Sequence, residues 1–180
     1  MRKLNAKMRA LDAWETESLV LRPREAEDAV VYRALWTERD VRVPPHRRID
    51  REGRPTVEDI AARIRAERDV PGPRLLAVRV KDTAELIGYC GLIARSSAPP
   101  DEPELAYELL RAAHGRGYAT EAARAVIERA DEAGHQRLWA EVWDWNAASR
   151  RVLHKLGFRE TGGVEAESAY GRSLLTVRKV

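Results

Sequence analysis

Chemistry is concentrated in the stretch Glu104-Leu-Ala-Tyr-Glu-Leu-Leu-Arg-Ala-Ala-His-Gly-Arg-Gly-Tyr-Ala-Thr-Glu-Ala122. Gly115, Gly117 and Ala119 carry little or no side chain, so a bulky anion can come close to the main chain. A helix beginning near Gly117 adds unpaired N–H groups and the positive end of its dipole, and Arg116 puts a cation at the loop tip. A pyrophosphate suits such a loop, although a glycine pair equally serves a plain turn or a cap. Upstream, strand alternation puts Glu104, Ala106 and Glu108 on one face and Leu105, Tyr107 and Leu109 on the other. Carboxylates so placed are candidates for proton transfer, as is Glu141. Downstream, Asn146 suits the N-cap of a short helix and Ser149 lies one turn later, where a serine either faces a site or bonds the backbone. His46, His114, His135 and His154 show no metal-ligand spacing, so no metal is expected.

These groups need a strand before the loop and a helix after it. Thr16 to Pro23 has the apolar centre of a first strand, closed by Pro23. Residues 25–38 space Ala26, Ala29, Val30, Arg33, Ala34 and Trp36 at helical intervals. Thr56 caps a second helix, Val57 to Arg68, with Glu58 and Asp59 in its first turn. Strands are expected over 75–80, 86–93 and 104–110 as an antiparallel meander. A helix follows from Gly117 to Ala133, stopped by Gly134. Residues 137–143 read as a strand, 146–155 as a short helix, and 158–164 with 168–180 as a closing hairpin. Residues 1–15 read as a loose extension or short amphipathic helix, and 16–180 as one domain. Between Arg39 and Arg54 lies an irregular, arginine-rich loop, either solvated surface or a lid.

A chain of 180 residues can bury about two-thirds of its unfolded surface in one core. The formal charge of +3 is mild and the arginines are scattered, which speaks for compositional bias rather than a nucleic-acid surface. The single cysteine, Cys90, rules out a disulfide framework and a CxxC metal pair. The N-terminal stretch has no apolar core, and nowhere do enough apolar residues run together to cross a membrane. A soluble, cytoplasmic protein with no nucleic-acid or membrane partner is expected.

His114-Gly-Arg-Gly-Tyr-Ala119 resembles the acyl-CoA signature Gln/Arg-x-x-Gly-x-Gly/Ala of the GNAT superfamily of N-acetyltransferases. Gly115-Arg-Gly-Tyr-Ala-Thr-Glu-Ala122 is similar to its RimJ/RimL-type branch, and Asn146-x-x-Ser149 followed by Lys155-Leu-Gly-Phe158 resembles that branch's second motif. His114 departs from the usual glutamine or arginine. The resemblance implies an α/β (α+β) fold, a mixed and mostly antiparallel sheet splayed between the Glu104 and Arg137 strands and flanked by about four helices. Acetyl-CoA is then the donor, and a small-molecule amine or protein N-terminus the acceptor. Homodimers are common in such families.

By the same resemblance, Leu109, Leu110 and Arg111 meet the cofactor near its thioester, with N–H groups at Leu109 polarising the carbonyl. His114, Gly115, Arg116, Gly117, Tyr118, Ala119 and Thr120 surround its phosphates, and Asn146 and Ser149 its pantetheine arm. Glu104 is the expected base, directly or through a water, ahead of Glu108 and Glu141. Many relatives carry a tyrosine seven residues after the asparagine; Leu153 stands there, so Ser149 is the expected acid for the departing thiolate. On the acceptor side, Arg47, Arg48 and Arg51 are expected to select acidic groups, with Glu108 and Trp143 lining the pocket. The alternative is a non-catalytic acyl-CoA-binding module of the same fold. A dinucleotide-binding βαβ unit is disfavoured, because Thr120 stands at the third glycine position and too little chain follows.

Overall fold

Short β-branched and leucine-rich runs separated by turns become strands, and the longer periodic stretches become helices that cover them. The structure is a computed structural model and describes residues 13–95, 98–99 and 101–179. Its strands are β1 (Trp14–Glu15), β2 (Leu19–Pro23), β3 (Leu75–Val80), β4 (Leu86–Ile93), β5 (Glu104–Leu109), β6 (Arg137–Trp143), β7 (Arg159–Ser168) and β8 (Gly171–Lys179). They form one sheet in the order β1-β2-β3-β4-β5-β6-β8-β7. The β5–β6 pair is parallel and its neighbours are antiparallel.

Helices α1 (Ala29–Glu38) and α2 (Val57–Glu67) cover one face; α3 (Tyr118–Glu132) and α4 (Ala147–Lys155) cover the other. Alternation along the strands divides the core accordingly. Tyr89 packs with Tyr32, Leu35 and Ile60 on the first face, while its neighbour Cys90 joins Leu105, Leu109, Ala122 and Leu153 on the second. α2 starts in a reciprocal cap: Thr56 Oγ1 accepts from the Asp59 N–H at 3.1 Å, and Asp59 Oδ2 accepts from the Thr56 N–H at 2.9 Å.

Two ends of the sheet differ from the expectation. Trp14 and Glu15, the end of the stretch read as an extension, pair with Leu21 and Val20. A tight turn causes this, closed by Thr16 N–H to Leu19 O at 2.9 Å and fastened to α3 where Glu121 accepts from Thr16 Oγ1 and Ser18 N–H. The rest of that stretch, residues 1–12, lies outside the described residues. At the other end β7 runs on to Ser168, and its register with β8 shifts around Gly162 and Gly163. Every residue of this edge strand is exposed, so it carries no apolar alternation to read.

The sheet splits at its parallel pair. β5 and β6 register at Glu104↔Trp139 alone among the described residues, with Trp139 N–H donating to Pro103 O at 3.0 Å. Farther along β5, Leu110 N–H turns to β4 and donates to Ile87 O at 2.8 Å. Successive N–H groups of a strand point to opposite edges, so those of Leu109 and Tyr107 face the gap where β6 has left.

Gly88, opposite Leu109, keeps β4 close to that edge. A Cβ there would lie 2.1 Å from Glu108 O and 2.9 Å from Leu109 Cα, and its φ is +150°. Backbone cannot yield as a side-chain tip can. Gly88→Ala is therefore expected to destabilise the fold by about 3 kcal/mol, the upper end for overpacking, seen as a lower urea midpoint.

Candidate active site

The glycine turn has the backbone that its residue types allow. Gly115 and Gly117 have φ of +76° and +82°, and a Cβ built on either meets nothing within 4 Å, so open space lies over the turn. Gly117 precedes the 15-residue helix α3, whose first internal bond is Glu121 N–H to Gly117 O at 3.0 Å. The N–H groups of Tyr118, Ala119 and Thr120 thus begin the helix without an intrahelical acceptor. Arg116 sits 4.8 Å from the Tyr118 ring centroid beside them. Donors, a dipole end and a cation around an open space fit a pyrophosphate.

Other expected cofactor contacts sort by whether the protein already uses them. His114 Nε2–H donates to Leu109 O at 2.8 Å, so this ring fixes the strand end. Leu110 N–H is spent on Ile87. Arg111 N–H goes to Glu38 Oε2 at 2.8 Å, and its guanidinium to Glu38 O. Leu109 N–H is the main-chain donor of this trio that faces the split.

Glu104 stands where the split begins, half-buried, with Glu141 of β6 beside it. Burial first, and then the Glu141 charge, push its carboxyl up to about 7; Arg95, the Glu141 N–H and Arg47 pull it back less. A carboxyl titrating there can take a proton at neutral pH and release it again. Arg95, with its side chain only 8% exposed, pairs with Glu165 and lies 5.3 Å from the Trp139 ring centroid. Ser173 Oγ donates to Glu141 at 3.3 Å.

Glu108, expected to line the acceptor pocket, is held by the protein. Arg39 grips it with two bonds, Nε to Oε1 at 2.8 Å and Nη2 to Oε2 at 2.6 Å, and the Tyr89 hydroxyl donates at 2.9 Å. Arg39 also stacks 4.1 Å from the Trp36 ring centroid and donates to Arg47 O at 2.6 Å. The arginine-rich loop is therefore tied to β5. At its other side Arg42 lies 4.3 Å from the Trp145 ring centroid, and Trp145 stacks on Trp143 at 6.1 Å with planes 8° apart. Pinned at both places, the loop brings Arg47 near Glu104, while Arg51 is exposed and Arg48 is half-buried.

On the opposite face Asn146 caps α4, its Oδ1 accepting from Ser149 N–H at 3.1 Å. The Ser149 hydroxyl meets the Tyr107 hydroxyl at 2.8 Å. Burial pushes the Tyr107 phenol up to about 12, while the Ser149 hydrogen bond draws it down. Tyr107 escaped the sequence reading because its strand face reads as aliphatic. A phenol on that face, opposite a helix opening with Asn146-x-x-Ser149, was the available signal. Leu153, where relatives carry tyrosine, is a core residue 3% exposed. Among the described residues no His, Cys, Asp and Glu group is placed to hold a metal ion, and no helix is long and apolar enough to cross a membrane.

A split sheet with free strand donors fits an extended arm, and a phosphate cradle at the end of that split fits an arm that carries phosphates. The profile of the acetyltransferase (GNAT) domain matches residues 18–159. Over 167 residues the chain is 29% identical to the uncharacterized N-acetyltransferase p20 of Bacillus licheniformis, covering 87% of this chain and 88% of that one. Among solved structures, a GnaT-family acetyltransferase from Bordetella pertussis superposes with a TM-score of 0.71 at 26% identity, over 93% of this chain and 99% of that one. Mycobacterium smegmatis RimJ, solved in complex with CoA-disulfide, shares the fold with a TM-score of 0.71 at 22% identity, over 90% and 82% of the two chains. The chain belongs to the GNAT acetyltransferase family, and acetyl-CoA is its donor.

Gly117→Asp puts a carboxylate at the mouth of the phosphate cradle; the added Cβ meets nothing within 4 Å, and the left-handed φ of +82° costs about 1–2 kcal/mol, which leaves the domain folded. Acetyl-CoA binding is expected to disappear in calorimetry while the circular dichroism spectrum stays that of the wild type.

Proposed function

We propose that this protein transfers the acetyl group of acetyl-CoA to a low-pKa amine, best an α-amine next to an acidic group, with Glu104 as base. The observation that carries the reading is the position of the Glu104 carboxyl, half-buried beside Glu141 where the split begins, an environment that pushes it up to about 7. The RimJ/RimL-type branch is the subfamily we infer, supported by Gly115-Arg-Gly-Tyr-Ala-Thr-Glu-Ala122 and by Asn146-x-x-Ser149. A protein N-terminus or a small amine bearing such a group fits equally.

Acetyl-CoA supplies an activated carbonyl and a thiol leaving group; the residues do the rest. The α3 N-terminus, Gly115, Gly117 and Arg116 hold the phosphates. Leu109 N–H donates to the carbonyl oxygen as charge gathers on it, a contact worth roughly 3 kcal/mol in acyl transfer. Glu104 takes the amine proton. An α-amine with pKa near 7.8 is roughly 10 to 20% neutral at pH 7, against well under about 0.1% for a lysine near 10.4, so a carboxylate base suits the former. Arg47, Arg48 and Arg51 attract the acceptor's acid, with Arg47 nearest the base. Trp143 and its stacked partner Trp145 form an apolar wall, and Glu108 serves by holding Arg39 and hence the loop.

A thiol-release screen over peptides, amino acids and other small amines tests the reading, with acidic α-amines expected to lead. The base is tested by pH. Activity below saturation should rise through two ionisations, that of Glu104 at about 7 and that of the acceptor amine, and Glu104→Gln should lower the rate roughly 10²-fold and leave only the amine's limb. Stability moves the other way: the folded carboxyl holds its proton from the ordinary 4.5 up to about 7, so stability falls across that window. Glu104→Gln should therefore be more stable than wild type above pH 7, with the advantage gone below 4.5. A normal pH–rate profile in the variant would remove Glu104 from the reaction.

Changing Arg47, Arg48 and Arg51 together to glutamate should raise the acceptor KM, most at low salt, with acetyl-CoA affinity nearly unchanged. Because Arg47 lowers the Glu104 pKa, the acidic limb should also move to higher pH. Loss of acetyl-CoA affinity with an unchanged acceptor KM would assign the loop to the cofactor instead.

A further inference from the structure

We propose that Tyr107 is a positioning residue for the thiol: acting through Ser149, it turns the serine hydroxyl toward the departing sulfur and so supplies the hydrogen bond that sulfur needs. The proposal rests on the acetyl-transfer reading of this site and adds a residue to it. Tyr107 sits on β5 at the split, with its N–H toward the gap and its ring toward α4. Its hydroxyl lies 2.8 Å from Ser149 Oγ and 3.3 Å from Ser149 O.

One phenol proton cannot serve both contacts. Donated to the carbonyl, it leaves Oγ to spend the serine's own proton on the phenol oxygen. Donated to Oγ, the shorter contact, it frees the serine proton for the gap. The Ser149 main chain is fixed meanwhile by the Asn146 cap at 3.1 Å, so the hydroxyl swings about one bond. A buried phenol well above neutrality keeps its proton throughout the working range. No second hydroxyl competes from the following turn, because Leu153 fills that place with core.

The step balances. The amine nitrogen bonds the acetyl carbon and loses its proton to Glu104; the C–S bond breaks with its electron pair going to sulfur. Sulfur departs as a thiolate held by the Ser149 hydroxyl, which Tyr107 keeps turned toward it, and both hydroxyls keep their protons. The proton that Glu104 took then reaches sulfur through solvent, so the amine has lost one hydrogen and the thiol has gained one.

A donor aimed at sulfur must also ease ionisation of the thiol of bound CoA, which can be read without any acceptor. Titrating enzyme-bound CoA by its thiolate ultraviolet absorbance should give a midpoint about one pH unit higher in Tyr107→Phe and in Ser149→Ala than in wild type, a tenfold change in the ionisation constant. The double variant should match Ser149→Ala alone, since the two act as one unit. Turnover should fall by roughly 10²-fold in either, with acetyl-CoA affinity kept. An unchanged thiol midpoint in Tyr107→Phe with CoA bound would make Tyr107 a packing residue and overturn the proposal. Should that variant lose CoA, 3-fluorotyrosine at 107 keeps the shape with a more acidic phenol; a lowered midpoint supports the relay and an unmoved one overturns it. A wild type that shows the thiol shift but acetylates no amine would instead refute the acceptor reading, leaving the relay standing.

Discussion

The parting of β5 from β6 is the constraint on which the site depends. Each strand is secured on its far side, β5 by six registered pairs with β4 and β6 by seven with β8, so neither half needs the other to stay flat. What the split costs is a row of main-chain groups between residues 105 and 109 deprived of sheet partners. Part of that debt is met internally, where His114 takes Leu109 O. The N–H groups stay directed into the gap, and an extended polar arm is what satisfies them.

Charge organises the α1/α2 face around the same split. Two carboxylates of β5, Glu104 and Glu108, are four residues apart on one side of the strand yet have opposite fates. Glu108 receives a two-pronged arginine and a phenol hydroxyl, which satisfy both its oxygens and lock the loop root. Glu104 has a second carboxylate for a neighbour and only weaker attraction from arginines, so burial raises its proton affinity. Removing the partner of the first would strand a half-buried charge. The second is left in the condition that proton transfer requires.

Much of this can be read in the chain, because local pattern determines it. Residues 75–80 and 86–93 are apolar runs and residues 137–143 alternate, each between bounding turns, and the structure keeps those strand limits. Gly115, Gly117 and the amphipathic run after them announce the turn and its helix. Contacts between distant residues are another matter. Tyr107 and Ser149 are 42 positions apart and Arg39 and Glu108 are 69 apart, and no local periodicity links them. Trp14–Glu15 is too short for a period, and exposed β7 has none. The aromatic stack from Arg42 to Trp143 was equally hidden, since Arg42 and Trp145 lie far apart in the chain.

A strand shows successive side chains to opposite faces, and this explains why the proposed chemistry needs a split rather than a groove. Glu104 belongs to the α1/α2 face with the arginine loop, whereas Tyr107, three residues on, belongs to the α3/α4 face with Ser149. Across a continuous sheet these groups would be separated by a full layer of backbone. Where β6 leaves, a carbonyl lying in the plane of the sheet beside Leu109 is open from both sides. The amine can approach from the loop face and give its proton to Glu104, while sulfur departs toward the hydroxyls of the helix face. Proton removal and support of the departing sulfur are thus kept apart, so the two groups can be tuned by separate surroundings, one raised to near neutrality by burial beside a carboxylate and the other held protonated, as a hydrogen-bond donor, in an apolar core.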